Sequence, residues 1–258
     1  MAEAARSRTS EIASALRRAS LHASSMLPGW SRLTIACHLR YGARASYRMT
    51  TDALSGVATS FYPQGRSHQR PATLAPDPGE DPSQVVASLN EESSLLYDAW
   101  AKLTPPDWST EIEEPQGLHD LGRTTVSDLA LLRLTEVEVH GGDLGLGLED
   151  WSETFVTAAL PVRLAWLETR RSNHRTVDPT VQGSWLFVSD DGTCWRICVR
   201  GNEVSSRPVE PGVRANCEIR ASSRDLLAIL VGRPTRRAVS VHGDAGLASA
   251  FGRAFPGP

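Results

Sequence analysis

The fold prediction depends on the stretch Leu134-Thr-Glu-Val-Glu-Val-His140, whose residue pattern is compatible with either a β-strand or a helix. Polar and apolar residues alternate in it, which fits a β-strand with Glu136, Glu138 and His140 on one face. In a helix, Glu136 and His140 share a face one turn apart and Glu138 points elsewhere. Leu129 and Leu132 extend the helical face upstream, so we predict a helix.

The start of this helix also has a signature. Thr125-Val-Ser-Asp128 resembles a capping box, in which two side chains bond to the free backbone N–H groups of a first turn. Gly141-Gly142 lies near the predicted end.

A carboxylate and an imidazole one helical turn apart can bind the same metal ion. His38, in Cys37-His-Leu39, is the candidate for a third ligand from another helix. Three protein ligands leave a coordination position open for water or substrate, which is typical of catalytic zinc. A histidine on an apolar helix is also commonly a satisfied core residue, and this alternative stays open for His38.

Four short motifs resemble those of the mycothiol-dependent maleylpyruvate isomerase family, a branch of the DinB-like metal-binding bundles. They are Leu27-Pro-Gly-Trp30 followed by His38-Leu39, Phe61-Tyr-Pro63 with Arg66, Arg133 to His140 with Asp143-Leu144, and Gly192-Thr-Cys-Trp195 with Leu230-Val-Gly-Arg233. Their order covers nearly the whole chain. The resemblance implies that His38, Glu136 and His140 are the metal ligands.

The same resemblance implies an α+β fold, in which a DinB-like up-down helical bundle precedes a small α/β domain similar to sterol carriers. We predict the bundle over residues 1–172 and the small domain over 183–258. The individual predictions are helices near 31–54, 83–103 and 151–171, a long loop over 55–82, strands at 185–188, 195–199 and 217–220, and a helix over 223–230.

Composition excludes several classes of protein. The 258 residues carry a formal net charge of −3, so a nucleic acid is not expected as a partner. No apolar run approaches the length of a membrane span, so a membrane is not expected either. The four cysteines lack paired metal-ligand spacing and are expected to be reduced thiols in a cytoplasmic protein. A monomer or a homodimer is expected.

The resemblance also implies a mechanism. A zinc ion with an open position can take mycothiol as its fourth ligand and ionise it, so that the thiolate attacks an electrophilic small molecule. Our leading hypothesis is a thiol S-transferase that attaches or exchanges mycothiol on an electrophilic small molecule, as in natural-product biosynthesis. The alternatives are a mycothiol-dependent maleylpyruvate cis–trans isomerase and a non-catalytic, anti-sigma-like zinc regulator.

Several further residues have candidate roles. Arg66, in the long loop, and Arg233, in the second domain, are predicted to bind carboxylate groups of the thiol or its co-substrate. Asp143 is expected either to orient the His140 imidazole or to be a surface residue. Glu138 is expected to be solvated or paired with an arginine.

Overall fold

The computed structural model describes residues 1–115, 124–168 and 178–257. These residues form two compact units, Met1–Phe155 and Val156–Pro258.

The division between the units falls inside the helix Glu153–Ala165, which the sequence analysis assigned whole to the first domain. Hydrogen bonds explain the difference. Ser206, in the sheet of the second unit, donates its Oγ hydrogen to Leu164 O at 2.6 Å and its backbone N–H to the Glu168 carboxylate at 2.6 Å. The second half of this helix is therefore bonded to the second unit. Residues 169–171 of the helix predicted over 151–171 lie outside the described residues.

The first unit is built from helices. In its described residues we label them α1 to α6, with α7 crossing the division: Ala2–Arg17, Arg32–Leu54, Arg66–Thr73, Pro82–Trp100, Pro105–Trp108, Val126–Asp143 and Glu153–Ala165. Two short strands, β1 at Glu111–Ile112 and β2 at Thr124–Thr125, pair antiparallel before α6.

Four of these helices form a closed ring of packing contacts. Helix α1 contacts α4, α4 contacts α2, α2 contacts α6, and α6 contacts α1. Each long helix therefore buries one face against two neighbours, which is the arrangement of a four-helix bundle. The predicted helical bundle is confirmed.

Helix α6 begins where the sequence predicted. Thr125 Oγ1 accepts a hydrogen bond from Asp128 N at 3.2 Å, and Asp128 Oδ2 accepts one from Thr125 N at 2.8 Å. Val137, Glu138 and Val139 are all buried, so the alternation of polar and apolar residues does not mark a strand. It arises because neighbouring elements enclose most of this helix.

The loop predicted over 55–82 contains a helix that the sequence analysis missed. Helix α3 spans Arg66–Thr73 with Pro71 inside it, and Thr73 is its one buried residue. The segment contains proline and is mostly polar, so it lacks the apolar periodicity by which a helix is predicted from sequence. Pro105 and Pro106 begin the short helix α5, where proline at the first position fits the helix geometry.

The second unit is a five-stranded sheet with helices. Its strands are β3 to β7, at Gly183–Ser189, Cys194–Arg200, Glu203–Pro208, Cys217–Ala221 and Ser240–Gly243, and its helices after α7 are α8 at Ser223–Leu230 and α9 at Ala245–Ala254. The sheet order is β5-β4-β3-β6-β7, with β3 and β6 parallel and the other pairs antiparallel. The three predicted strands and α8 are confirmed, and β5, β7 and α9 were not predicted.

One face of this sheet carries the aromatic core. Trp185 and Phe187 on β3 contact Phe251 of α9, with ring centroids 5.7 and 4.9 Å apart. The predicted α+β class, a helical bundle followed by a small α/β domain, is confirmed. None of the helices in the described ranges is long and apolar enough to cross a membrane.

Candidate metal centre

The three predicted ligands lie together in the bundle. His38 comes from α2, and Glu136 and His140 come from α6. Glu136 Oε2 lies 2.6 Å from His38 Nε2 and 3.5 Å from His140 Nε2. The candidate ligand atoms of all three residues lie within 4.8 Å of one another.

A buried arginine fixes α2 against α6 one turn from these ligands. Arg133, on α6, is 1% exposed and donates from Nη1 to Leu39 O at 2.8 Å. It also donates to Tyr97 Oη at 3.2 Å and to Ser93 Oγ at 3.0 Å on α4. A Cβ atom at Gly42 would lie 3.4 Å from Arg133 Nη1. The small residue on α2 therefore leaves room for the guanidinium that sets the position of His38 against Glu136.

Asp143 sets the orientation of His140. Its Oδ2 lies 2.9 Å from His140 Nδ1, and the residue is 4% exposed. Of the two roles left open for Asp143, the structure supports the orienting one, because the carboxylate is buried on the imidazole. A carboxylate acceptor favours the proton on Nδ1, which leaves Nε2 directed at Glu136 and free to ligate.

Trp30 covers the two imidazoles. Its ring stacks on His140 at 6.0 Å and 14°, and meets His38 edge-on at 5.6 Å and 81°. Glu136 and His140 are half-buried, whereas His38 is 8% exposed. The cluster is therefore accessible from the side of Glu136 and His140.

The protonation states of the three residues differ. Burial lowers the pKa of His38, against the raising effect of Glu136. Burial opposes ionisation of Glu136, but the charges and hydrogen bonds of His38 and His140 hold its pKa well below the usual value. Burial also lowers the pKa of His140, but hydrogen bonds to Asp143 and Glu136 outweigh it and raise this pKa to about 9. Near neutral pH the metal-free cluster thus holds a neutral imidazole, a carboxylate and an imidazolium.

The donor set fits a divalent cation. Ligand atoms about 2.0–2.2 Å from a tetrahedral zinc lie roughly 3.4 Å apart, and the separations of 2.6 and 3.5 Å lie on either side of that value. His38 Nδ1 is buried and has no hydrogen-bond partner in the described part of the chain. A core histidine and a metal-ligating histidine both normally have the second ring nitrogen satisfied, so it is the contact of Nε2 with Glu136 that marks His38 as a candidate ligand.

Glu138 is separated from the cluster, as the helical reading requires. It is 1% exposed and pairs with Arg8 of α1, whose Nη2 lies 2.6 Å from its Oε2. The expected pairing with an arginine is confirmed, and the expected solvation is wrong for this residue.

Two arginines of α3 lie in the same unit. Arg66 is exposed, with its guanidinium 5.5 Å from the centre of the Tyr62 ring. Arg70 donates to Tyr62 Oη at 3.2 Å, and its charge contributes to lowering the pKa of His38. Both arginines are candidates for carboxylate binding from their place in the predicted loop, and Arg66 is the one named as a site residue.

Arg233 lies in the second unit, directly after α8. Its backbone N–H donates to Ala228 O at 2.9 Å, and its Nη1 donates to Val231 O at 3.1 Å. Gly232 before it has φ +66°, which favours glycine and turns the chain at the helix end. The backbone N–H groups of Arg236 and Arg237 instead bond to Asp225. The binding role of Arg233 stays a prediction.

Comparisons with known proteins agree with this architecture. A family profile described as the mycothiol maleylpyruvate isomerase N-terminal domain matches residues 2–145. A crystal structure of the mycothiol-dependent maleylpyruvate isomerase is similar at TM-score 0.67 and 19% identity, over 95% of this chain and 92% of that chain. A mutant of that isomerase gives TM-score 0.69 with the same identity and coverage. At this identity the two likenesses show the fold alone, and no curated protein matches significantly.

Proposed function

The chain belongs to the mycothiol maleylpyruvate isomerase family through its N-terminal domain, and on this premise we propose that it is a metal- and mycothiol-dependent cis–trans isomerase of a small unsaturated acid such as maleylpyruvate. The observation that carries the proposal is the convergence of His38, Glu136 and His140 on one point. The sequence alone favoured a thiol S-transferase, with the isomerase as the alternative. Membership of the family supports the isomerase better.

The metal proposal rests on the chain's own donors. His38, Glu136 and His140 would hold a divalent ion, zinc by the nature of the donor set. When bound, such an ion supplies the Lewis acidity that ionises a thiol near neutral pH. Asp143 keeps the Nε2 lone pair of His140 directed at the ligand position, and Trp30 shields both imidazoles from water.

The arginines of α3 supply the positive charge that a carboxylate-bearing thiol or substrate requires. Tyr62 positions Arg70 by a hydrogen bond and lies beneath the Arg66 guanidinium. Tyr62 is itself held by stacking on Tyr41, with centroids 5.4 Å apart. We propose that Arg70 and Arg66 bind carboxylate groups, because planar guanidinium groups match carboxylate geometry.

A turnover assay separates the candidate functions. Purified protein is mixed with mycothiol and maleylpyruvate, and the products are followed by NMR. Formation of the trans isomer with the thiol recovered unchanged supports the isomerase. Accumulation of a thioether indicates the S-transferase, and metal binding without thiol-dependent turnover of any electrophile indicates the zinc regulator.

The matched variants assign the reaction to the cluster. We expect His140→Ala to lower turnover to background, since it removes a ligand. His22→Ala is the control, because His22 is exposed and lies outside the cluster, and it should keep wild-type turnover. Equal activity of both variants would contradict the proposed site.

A further inference from the structure

The second unit contains a polar cavity of about 790 Å³. It lies where β3 begins and β4 ends, beside the segment 214–216 that leads into β6. Every residue that lines it belongs to the second unit, and none belongs to the metal centre. The proposed function leaves this cavity without a role.

Three arginines line the cavity. Arg196 and Arg200 lie on the same face of β4, because every second side chain along a strand points to the same side. Arg214 comes from the segment before β6. The lining carboxylate, Asp244, already accepts a hydrogen bond from Leu247 N at 2.9 Å as the cap of α9. The cavity therefore carries a net positive charge.

These guanidinium groups lack the carboxylate partners that two other arginines of the same unit have. Arg220 and Arg224 pair with Glu218 and Asp225. Within the described ranges, the side chains of Arg196, Arg200 and Arg214 make no hydrogen bond or ion pair, and Arg196 Nε is buried without a partner. A buried donor without a partner in a positively charged cavity is expected where a ligand supplies the acceptor.

Neutral polar groups complete the lining. Asn216 Oδ1 accepts hydrogen bonds from Ser184 N at 3.0 Å and Ser184 Oγ at 2.9 Å. Since this oxygen is occupied, the amide Nδ2 is the group of Asn216 left to donate to a ligand. The free groups that line the cavity are thus mainly hydrogen-bond donors, which suits an anion.

We propose that this cavity is a binding site for a small dianion, a phosphate monoester or a dicarboxylate, held by Arg196, Arg200 and Arg214. Guanidinium groups bind both chemistries through paired N–H donors. The site belongs to the second unit alone and does not depend on the metal or the thiol.

Cys198 gives the site a built-in reporter. Its side chain lines the cavity between Arg196 and Arg200 and is half-buried, whereas Cys37, Cys194 and Cys217 are buried. An anion bound in the cavity should slow alkylation of Cys198 and leave the other three cysteines unaffected.

The test is calorimetric titration of the full chain with glycerol 2-phosphate and, separately, with succinate at constant ionic strength. Both titrations use the Glu136→Gln background, which disables the candidate metal centre. We expect one anion per chain, and whichever compound binds more tightly identifies the class of ligand. Binding should protect Cys198, as read by mass spectrometry of the alkylated peptide.

Matched variants separate a site from a general effect of charge. Arg196→Gln and Arg214→Gln should each weaken binding at least about tenfold, the loss expected for a charged hydrogen bond. Arg214 is exposed, so Arg214→Gln should fold normally and still test the proposal if Arg196→Gln fails to fold. Arg220→Gln removes the same charge from the same unit outside the cavity, and should change affinity less than about twofold. Absence of binding by both compounds, or equal weakening by Arg220→Gln and Arg214→Gln, would overturn the proposal.

Discussion

At the scale of single residues, Asp143 controls the proton that competes with a metal ion. Its hydrogen bond and charge, with those of Glu136, outweigh the effect of burial and raise the pKa of His140 to about 9. Ligation by Nε2 requires neutral His140. Because the raised pKa means that the proton is held more tightly, metal affinity should fall as the pH drops below about 9.

The corresponding prediction concerns Asp143→Asn. Between pH 9 and 6.5, the affinity of the wild type for zinc should fall about tenfold for each unit by which the pH is lowered, because zinc must displace one proton from His140. In the variant this dependence should flatten above about pH 7, since the pKa of His140 returns toward its ordinary value. Above pH 9, where proton competition vanishes, the variant should still bind about 10- to 100-fold more weakly because His140 is no longer oriented.

The measurement is a competition titration with a chelating dye from pH 6 to 9.5. Glu91→Gln, an exposed carboxylate on α4, is the control and should follow the wild-type curve. A pH dependence that is identical in the wild type and in Asp143→Asn would show that Asp143 does not act through His140.

The cluster of His38, Glu136 and His140 could be predicted from the sequence, but its surroundings could not. The i, i+4 spacing of Glu136 and His140 is a local pattern that can be recognised directly in the sequence. The role of Asp143 depended on burial, which spacing does not reveal. The position of Arg70 near His38 could not be predicted, because α3 is a short helix without an apolar stripe.

At the scale of elements, the helices of the bundle were predictable where capping and periodicity agreed. Thr125 and Asp128 marked the start of α6 before any packing was known. The packing of α1 on α6 was not predictable, because it depends on a long-range ion pair between Arg8 and Glu138. A Cβ atom at Gly141 would lie 3.4 Å from the Ile12 side chain of α1, so glycine allows this close approach.

We predict that Arg8→Met destabilises the protein by about 3–5 kcal/mol, because it leaves the Glu138 carboxylate buried without its cation. The double variant Arg8→Met/Glu138→Met should recover most of this loss. Arg6→Met is the control on the same helix, since Arg6 forms a more exposed pair with Asp98, and it should cost less than about 1 kcal/mol.

Urea unfolding followed by circular dichroism measures these changes. Equal destabilisation by Arg8→Met and Arg6→Met, or no recovery in the double variant, would contradict the importance of this pair for the packing of α1 on α6.

At the scale of the whole molecule, the chain combines a helical bundle that bears the candidate metal centre with a sheet unit that bears Arg233. The class and the order of the units were predictable, because helical and strand periodicities occupy different parts of the sequence. The point of division was not, because it depends on the hydrogen bonds between Ser206 and the end of the helix that begins at Glu153.

For Arg233 we predict that lysine keeps the charge but not the paired N–H geometry. Arg233→Lys should lower kcat/KM for the thiol-dependent reaction at least about tenfold, equivalent to about 1.4 kcal/mol of lost transition-state stabilisation. Metal content should not change. Arg236→Lys and Arg237→Lys are the comparison variants, and normal turnover by Arg233→Ala would remove this residue from the mechanism.

The proposed reaction requires a bound metal ion, and elemental analysis of the purified protein tests for that ion directly. The wild type and His22→Ala should each contain one divalent ion per chain, zinc by the donor set. The triple variant His38→Ala/Glu136→Gln/His140→Ala, confirmed as folded by circular dichroism, should contain almost none. Full retention of the metal in the triple variant, or a wild type that binds none when supplied with zinc, would contradict the central claim.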